Sequence, residues 1–291
     1  MLTLKEVSLR KGKRTYLDEV SFTAEAGRIT AIVGTRSAGR TELVRIIMGL
    51  IAADEGTIEL EDFELDFGDR QNFGYLPAER GGYPNMRVLD QIVYLARLHG
   101  ITLGAAERNA LTLLGHLELA DRGYAPLKNL SGAEIARVDI AATLAADPDV
   151  VVIDDAFAGL DAASLRLVTS LLRAHASSGV PVILATDDWE AAQTFADDVV
   201  ILGQGKVTAK GSVEKLLGDP HYRVETTDTE VASSALKSRT GISYVKTAGH
   251  EGVSFHANDA KAAAAAVAEL KNVKNFESVR PTLAEQYKEA L

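Results

Sequence analysis

The chain of 291 residues contains no cysteine. Disulfides and thiolate chemistry are therefore excluded. Positive charge is short: 31 Lys and Arg stand against 41 Asp and Glu, for a formal net charge of −10. Nucleic-acid binders usually carry a basic stripe, so a primary role in binding nucleic acid is disfavoured. No apolar run approaches the ~20 residues that a membrane span needs. The six histidines (His99, His116, His175, His221, His250 and His256) show no metal-ligand spacing and read as core or surface residues. Met1 to Leu9 alternates and carries charge, which reads as a strand and not as a signal peptide. The expectation is a cytoplasmic protein that meets a membrane only through a partner. At this length one large domain and a smaller one are expected.

What is present is organised around Ile29 to Glu42. An apolar strand runs into a loop bounded by Gly34 and Gly39, and a helix follows. The loop has the outline G-x-x-x-x-G-K-[S/T], with Arg40 where lysine would stand. Two glycines let successive N–H groups point inward above a helix N-terminus, which makes an anion site. Thr41 supplies the hydroxyl that a phosphate-bound Mg²⁺ needs.

The remaining sequence alternates strands with helices. Leu2 to Leu9 and Val20 to Phe22 read as edge strands, and Ile29 to Val33 as a strand buried on both faces. Arg87 to His99 and Ala105 to Leu119 have helical spacing, which marks a helical subdomain at about 85–145. Leu130-Ser131-Gly132-Ala133-Glu134 opens an Ala-rich helix, with Ser131 as N-cap. Val150 to Asp155 is a buried strand ending in two carboxylates. Ala162 to Ala176 is a helix, and Val180 to Ala185 a strand ending at Thr186-Asp187-Asp188. The alternation predicts a largely parallel α/β sheet. Asp219-Pro220 reads as a boundary between domains 1–219 and 220–291. Beyond it the pattern is strand 222–227, helix 230–238, strands 242–247 and 252–256, helix 258–271, strand 273–279 and helix 282–290. Val224, Val245, Phe255, Val267, Leu270 and Phe276 are the expected core of this small α+β unit.

The ordered pieces are the loop Gly34–Glu42, Gly74-Tyr75-Leu76-Pro77-Ala78-Glu79-Arg80-Gly81, Leu130-Ser131-Gly132, Asp154-Asp155, Ala158-Gly159-Leu160-Asp161 and Thr186-Asp187. In this order they resemble the nucleotide-binding subunits of ABC transporters. Glu79-Arg80-Gly81 and Tyr83-Pro84, with the C-terminal appendage, look like the export subgroup that includes sodium- and drug-efflux ATPases. The resemblance implies a P-loop NTPase fold of ABC type, with a mixed sheet core plus helical subdomain. It implies that ATP and Mg²⁺ are bound by Gly34, Thr35, Arg36, Ser37, Ala38, Gly39, Arg40, Thr41 and Glu42, with Thr41 and Asp154 at the metal. It further implies a dimer in which Leu130, Ser131, Gly132, Ala133 and Glu134 form the signature segment and Asp161 the dimer loop. An integral membrane permease would be the partner, and the subunit would sit on the cytoplasmic face of the membrane.

Set against that family, the chemical positions are substituted. Arg40 replaces lysine, Asp155 the catalytic glutamate, Ala78 the glutamine that touches Mg²⁺, and Asp187 the switch histidine. Asp155 is shorter than glutamate by one C–C bond, ~1.5 Å. At ~4 Å and an effective dielectric of ~20, like charges cost on the order of 4 kcal/mol, so Asp187 is expected to repel a γ-phosphate. Lys11 stands where an aromatic would stack on adenine, and Tyr16 is out of register. Ala133-Glu134 replaces the Gly-Gln half of the signature. The substitutions share one expected outcome, weak nucleotide binding with weak or absent hydrolysis. The leading expectation is a degenerate ATPase subunit paired in a heterodimer with an active one. The alternatives are a competent homodimeric transport ATPase and a non-transport ABC protein. The last is disfavoured because the chain has a single nucleotide-binding domain and no long coiled coil.

Overall fold

The computed structural model describes residues 1–66, 68–79, 81–155, 157, 159–218, 221–248 and 252–287. Arg80, Ala158, the Asp219-Pro220 boundary, His250 and the end of the last helix expected from the sequence lie outside them. The chain divides into two compact units, Met1–Val213 together with Tyr287, and Glu214–Gln286.

In chain order the elements of the first unit are β1 (Leu2–Lys11), β2 (Arg14–Ala24), β3 (Ile29–Gly34), α1 (Arg40–Ile47), β4 (Glu55–Leu60), β5 (Phe63–Glu64), β6 (Phe73–Leu76), α2 (Val88–Leu98), α3 (Leu103–His116), α4 (Gly132–Leu144), β7 (Val150–Asp154), α5 (Ala162–Ser177), β8 (Val182–Thr186), α6 (Trp189–Phe195), β9 (Asp198–Gly203) and β10 (Lys206–Ser212). The helix α7 (Val213–Leu217) follows. The second unit continues with β11 (His221–Thr226), α8 (Thr229–Lys237), β12 (Ile242–Ala248), β13 (Gly252–Ala257), α9 (Ala260–Ala268), β14 (Val273–Val279) and α10 (Leu283–Tyr287).

The six-stranded sheet has the order β10-β9-β3-β8-β7-β6. Its strands β6, β7, β8, β3 and β9 run parallel, and β10 is antiparallel on the edge. Every residue of β3, β7 and β8 is buried. That is the pattern of central strands covered on both faces, and it explains their continuous apolar runs. A second, antiparallel sheet has the order β2-β1-β4-β5. The two sheets and α1 share one core, in which Leu4, Leu17, Ile32, Leu43, Ile47, Phe73 and Val152 are buried. The sheet is mixed, as expected, and α2, α3 and α4 pack on one another to form the helical subdomain.

The second unit runs β-α-β-β-α-β, with all-antiparallel order β12-β13-β11-β14. This is the ferredoxin-like arrangement. Alternate residues of β11 are buried, and Tyr222, Val224, Val253 and Phe255 meet Leu236 of α8 and Val267 of α9 in a core of their own. Of the expected core residues, Val224, Phe255 and Val267 are buried, and Val245, Leu270 and Phe276 pack around them half-buried. Among the described residues no helix is long and apolar enough to cross a membrane.

Candidate nucleotide site

The register of the parallel sheet brings three strand ends level. Val33 lies opposite Thr186, and Asp154 opposite Ala185. Loops leaving the carboxyl ends of neighbouring parallel strands form a crevice, which is where open α/β sheets bind ligands. Here the crevice is walled by the glycine loop, Asp154-Asp155 and Asp187.

The loop needs its glycines for two reasons. Gly39 sits at φ +97°, a left-handed backbone that favours glycine. A Cβ there would lie 2.6 Å from the Tyr16 carbonyl oxygen, and one at Gly34 would lie 2.5 Å from that of Leu202. Ser37 also adopts a left-handed conformation, at φ 69°. Inside the loop the Ala38 N–H donates to the Thr35 carbonyl at 3.1 Å. Gly39 is the N-cap of α1 and has no side chain to accept from the first turn. The first N–H groups of α1 are thus left for another acceptor, and the helix dipole favours an anion there.

Arg40 begins α1, and only 10% of its side chain is exposed. Its Nη1 lies 3.9 Å from Asp155 Oδ1 and its Nη2 lies 3.8 Å from Asp187 Oδ2. These are ion-pair separations, too long for hydrogen bonds. Nη1 is buried without a hydrogen-bond partner. The two acids stay open to solvent, 41% and 51% exposed. Asp187, expected to repel a γ-phosphate, faces the guanidinium of Arg40. Asp155 has φ 51°, so the carboxylate at the end of β7 stands on a left-handed backbone.

Asp154 is 3% exposed. Burial, then the neighbouring Asp155, pushes its carboxyl above the usual carboxylate range, against the pull of Arg40, a hydrogen bond with Thr41, and Arg45. The pairing of a Thr41 hydroxyl with the Asp154 carboxylate suits a hard divalent cation. The loop's free N–H groups and the orphaned Nη1 suit phosphate oxygens. The residues present therefore fit the phosphate end of a nucleotide with its cation. Ala78 is exposed and offers no polar side-chain atom.

The segment Leu130–Glu134 lies at the start of α4, with Leu130 buried and Ser131 and Gly132 exposed. Ser131 is the N-cap, as expected. Glu134 closes a capping box: its Oε2 accepts from the Ser131 N–H and hydroxyl, both at 2.8 Å. Its Oε1 accepts from Arg122 Nε at 2.9 Å. The carboxyl is held below the usual range, first by the Ser131 N–H, then by the Ser131 hydroxyl and Arg122, while burial opposes. Asp161 caps α5 by accepting from the Ser164 N–H at 2.7 Å.

Two further features are set by tertiary packing. Tyr16 presents a face to cations, with the Arg14 guanidinium 4.5 Å and Lys11 Nζ 5.4 Å from the ring centre. The β1–β2 hairpin brings these three together. A groove of about 460 Å³ runs along α2 and α3 past Val93, Tyr94, Leu98 and Leu103. Exposed Tyr83 packs edge-on against Tyr94, with ring centres 5.8 Å apart.

Residues 17–158 match the family model described as "ABC transporter". The chain is 27% identical over 216 residues to an uncharacterized ABC transporter ATP-binding protein of Bacillus subtilis, covering 74% of this chain and 72% of that one. It is 28% identical over 277 residues to a methionine import ATP-binding protein of Corynebacterium jeikeium, covering 89% of this chain and 75% of that one. A solved structure described as the ATP binding subunit of an ABC transporter superposes with a TM-score of 0.68 at 25% identity, covering 74% of this chain and 91% of that one. These likenesses coincide with the glycine loop, the paired strand-end carboxylates and the helical subdomain; the chain has the fold of an ABC ATPase cassette and is similar to ABC transporter ATP-binding subunits.

Proposed function

We propose that this subunit joins a membrane permease of the export kind and that its own site is impaired in hydrolysis. It would then work in a heterodimer with an active ATPase subunit, on the cytoplasmic face of the membrane. The observation that carries this reading is the placement of Arg40 between Asp155 and Asp187. A general base has to reach its water and be free to accept a proton. Asp155 is one bond shorter than glutamate, and its charge is already opposed by a guanidinium. A planar fork placed between two carboxylates also cannot follow a terminal phosphate as a mobile ammonium does.

Bound ATP with its Mg²⁺ would supply the phosphoryl group to be transferred. Thr41 and Asp154 would hold the cation, and the N–H groups of residues 35–42 other than that of Ala38, which the Thr35 carbonyl takes, would hold phosphate oxygens. With Ala78 in place of a polar residue, one contact to that cation is missing. Lys11 offers no aromatic face to a base, which weakens binding and its preference for adenine. Glu134 supports the same reading at the signature segment. Its carboxylate already accepts from the Ser131 N–H and hydroxyl, so that hydroxyl is engaged within the chain.

The test is a steady-state assay of the purified chain with Mg²⁺ and ATP. The expected result is turnover near background. Turnover around the ~10 s⁻¹ enzyme median would overturn the reading and favour a competent homodimer. The intact Thr41–Asp154 pair is what supports that second possibility. Isolation of the complex from a membrane extract is the matching test of pairing: a second, intact ATPase subunit is expected beside the permease.

A further inference from the structure

We propose that the site of the first unit selects a nucleoside diphosphate over the triphosphate. This rests on reading Gly34–Glu42 as the phosphate loop. In such a loop the backbone N–H groups cradle the first phosphates, and the basic side chain at the position of Arg40 reaches the last ones. Here that side chain turns to the ends of β7 and β8, where Asp155 and Asp187 hold it. A third phosphate would have to enter between the guanidinium and these two carboxylates. It would meet two negative charges and displace one positive charge from both of them. A diphosphate makes no such demand. Its oxygens can take the free N–H groups at the start of α1 and the Nη1 that lies buried without a hydrogen-bond partner.

The same arrangement lowers the need for a divalent cation. Such a cation bridges the last two phosphates of a triphosphate and neutralises their charge. When the terminal one is missing, Arg40 alone faces the remaining pair. The site would accordingly take a diphosphate with or without Mg²⁺.

Titration calorimetry of the full chain with ADP and with ATP, each with and without Mg²⁺, tests this. ADP is expected to bind at least tenfold tighter than ATP, and Mg²⁺ to change ADP affinity by less than threefold. In the double variant Asp155→Asn/Asp187→Asn, ATP should bind at least tenfold tighter than to the original chain, with ADP within threefold of its original value. Circular dichroism would confirm that the variant is folded. The proposal is overturned if ATP binds the original chain as tightly as ADP, if neither binds, or if the folded variant keeps the original ratio. Tight ATP binding without turnover defeats this proposal and leaves impaired hydrolysis standing. Measured turnover defeats the hydrolysis reading whatever the affinity ratio.

Discussion

Asp154 shows how a site residue can work against the fold that holds it. Its carboxyl is raised above the ordinary range mainly by burial, then by Asp155. The native state therefore binds that proton more tightly than the unfolded chain does. Stability from this group is full below the unfolded value and is lost as pH rises through the raised native one. At neutral pH the ionised carboxylate is a liability, and Asp154→Asn should melt above the original chain. In a domain of this size each 1 kcal/mol corresponds to about 2–4 °C. The gap should narrow as the pH is lowered through the same window. A thermal melt of both proteins at pH 7 and at pH 4 checks it, and a variant melting lower at pH 7 would contradict the account. Glu134 has the opposite sign, since its depressed carboxyl stabilises the start of α4 above the usual carboxylate range and loses that contribution in acid.

At the scale of elements, α2 and α3 carry an apolar face that the unit itself does not cover. Tyr83, Tyr94, Leu98 and Leu103 are exposed around the groove between them. Large exposed side chains gathered in one patch mark interaction surfaces more often than scattered ones do. Under the proposed function the permease supplies a cytoplasmic helix for this groove. A cysteine introduced as Tyr83→Cys should then crosslink to the permease in membranes. The chain has no native cysteine to confuse the result. Reaction only with water-soluble reagents, in membranes that contain the permease, would count against the docking.

The whole molecule is two cores in one chain. The second unit holds its own cluster of buried residues around Phe255 and Val224, with a complete ferredoxin-like sheet. Among its described residues there is no glycine-bounded phosphate loop and no carboxylate pair at the end of a parallel strand. It is expected to regulate or to dimerise and to do no chemistry. The match to the methionine import protein covers 89% of this chain, more than the first unit holds. Domains of this size are near the lower limit of independent stability. Removal of residues 219–291 should leave the first unit folded and its nucleotide affinity changed by less than tenfold, while altering assembly. Circular dichroism, calorimetry and gel filtration of the truncated chain read these three quantities. Loss of folding or of all nucleotide binding would show that the second core is part of the first.

Much of this was written in local pattern. Central strands such as β3 and β7 are continuous apolar runs because both faces are covered, and such runs are visible without coordinates. The glycines of the loop, the capping Ser131 and the strand-end carboxylates are local too, since backbone geometry and helix termini impose them within a few residues. The edge strands β5 and β10 were missed, because one exposed face and few apolar residues leave little periodic signal. The substitutions at Arg40, Asp155 and Asp187 are legible in the sequence, and so is their shared direction towards weak hydrolysis. That they form one cluster was not legible. Arg40 stands more than a hundred residues in sequence from either aspartate, and the three meet only because β3, β8 and β7 lie side by side with their ends level. Charges act through space, so the sequence alone determined which charges are present, and the tertiary structure decided that the arginine is opposed by both aspartates.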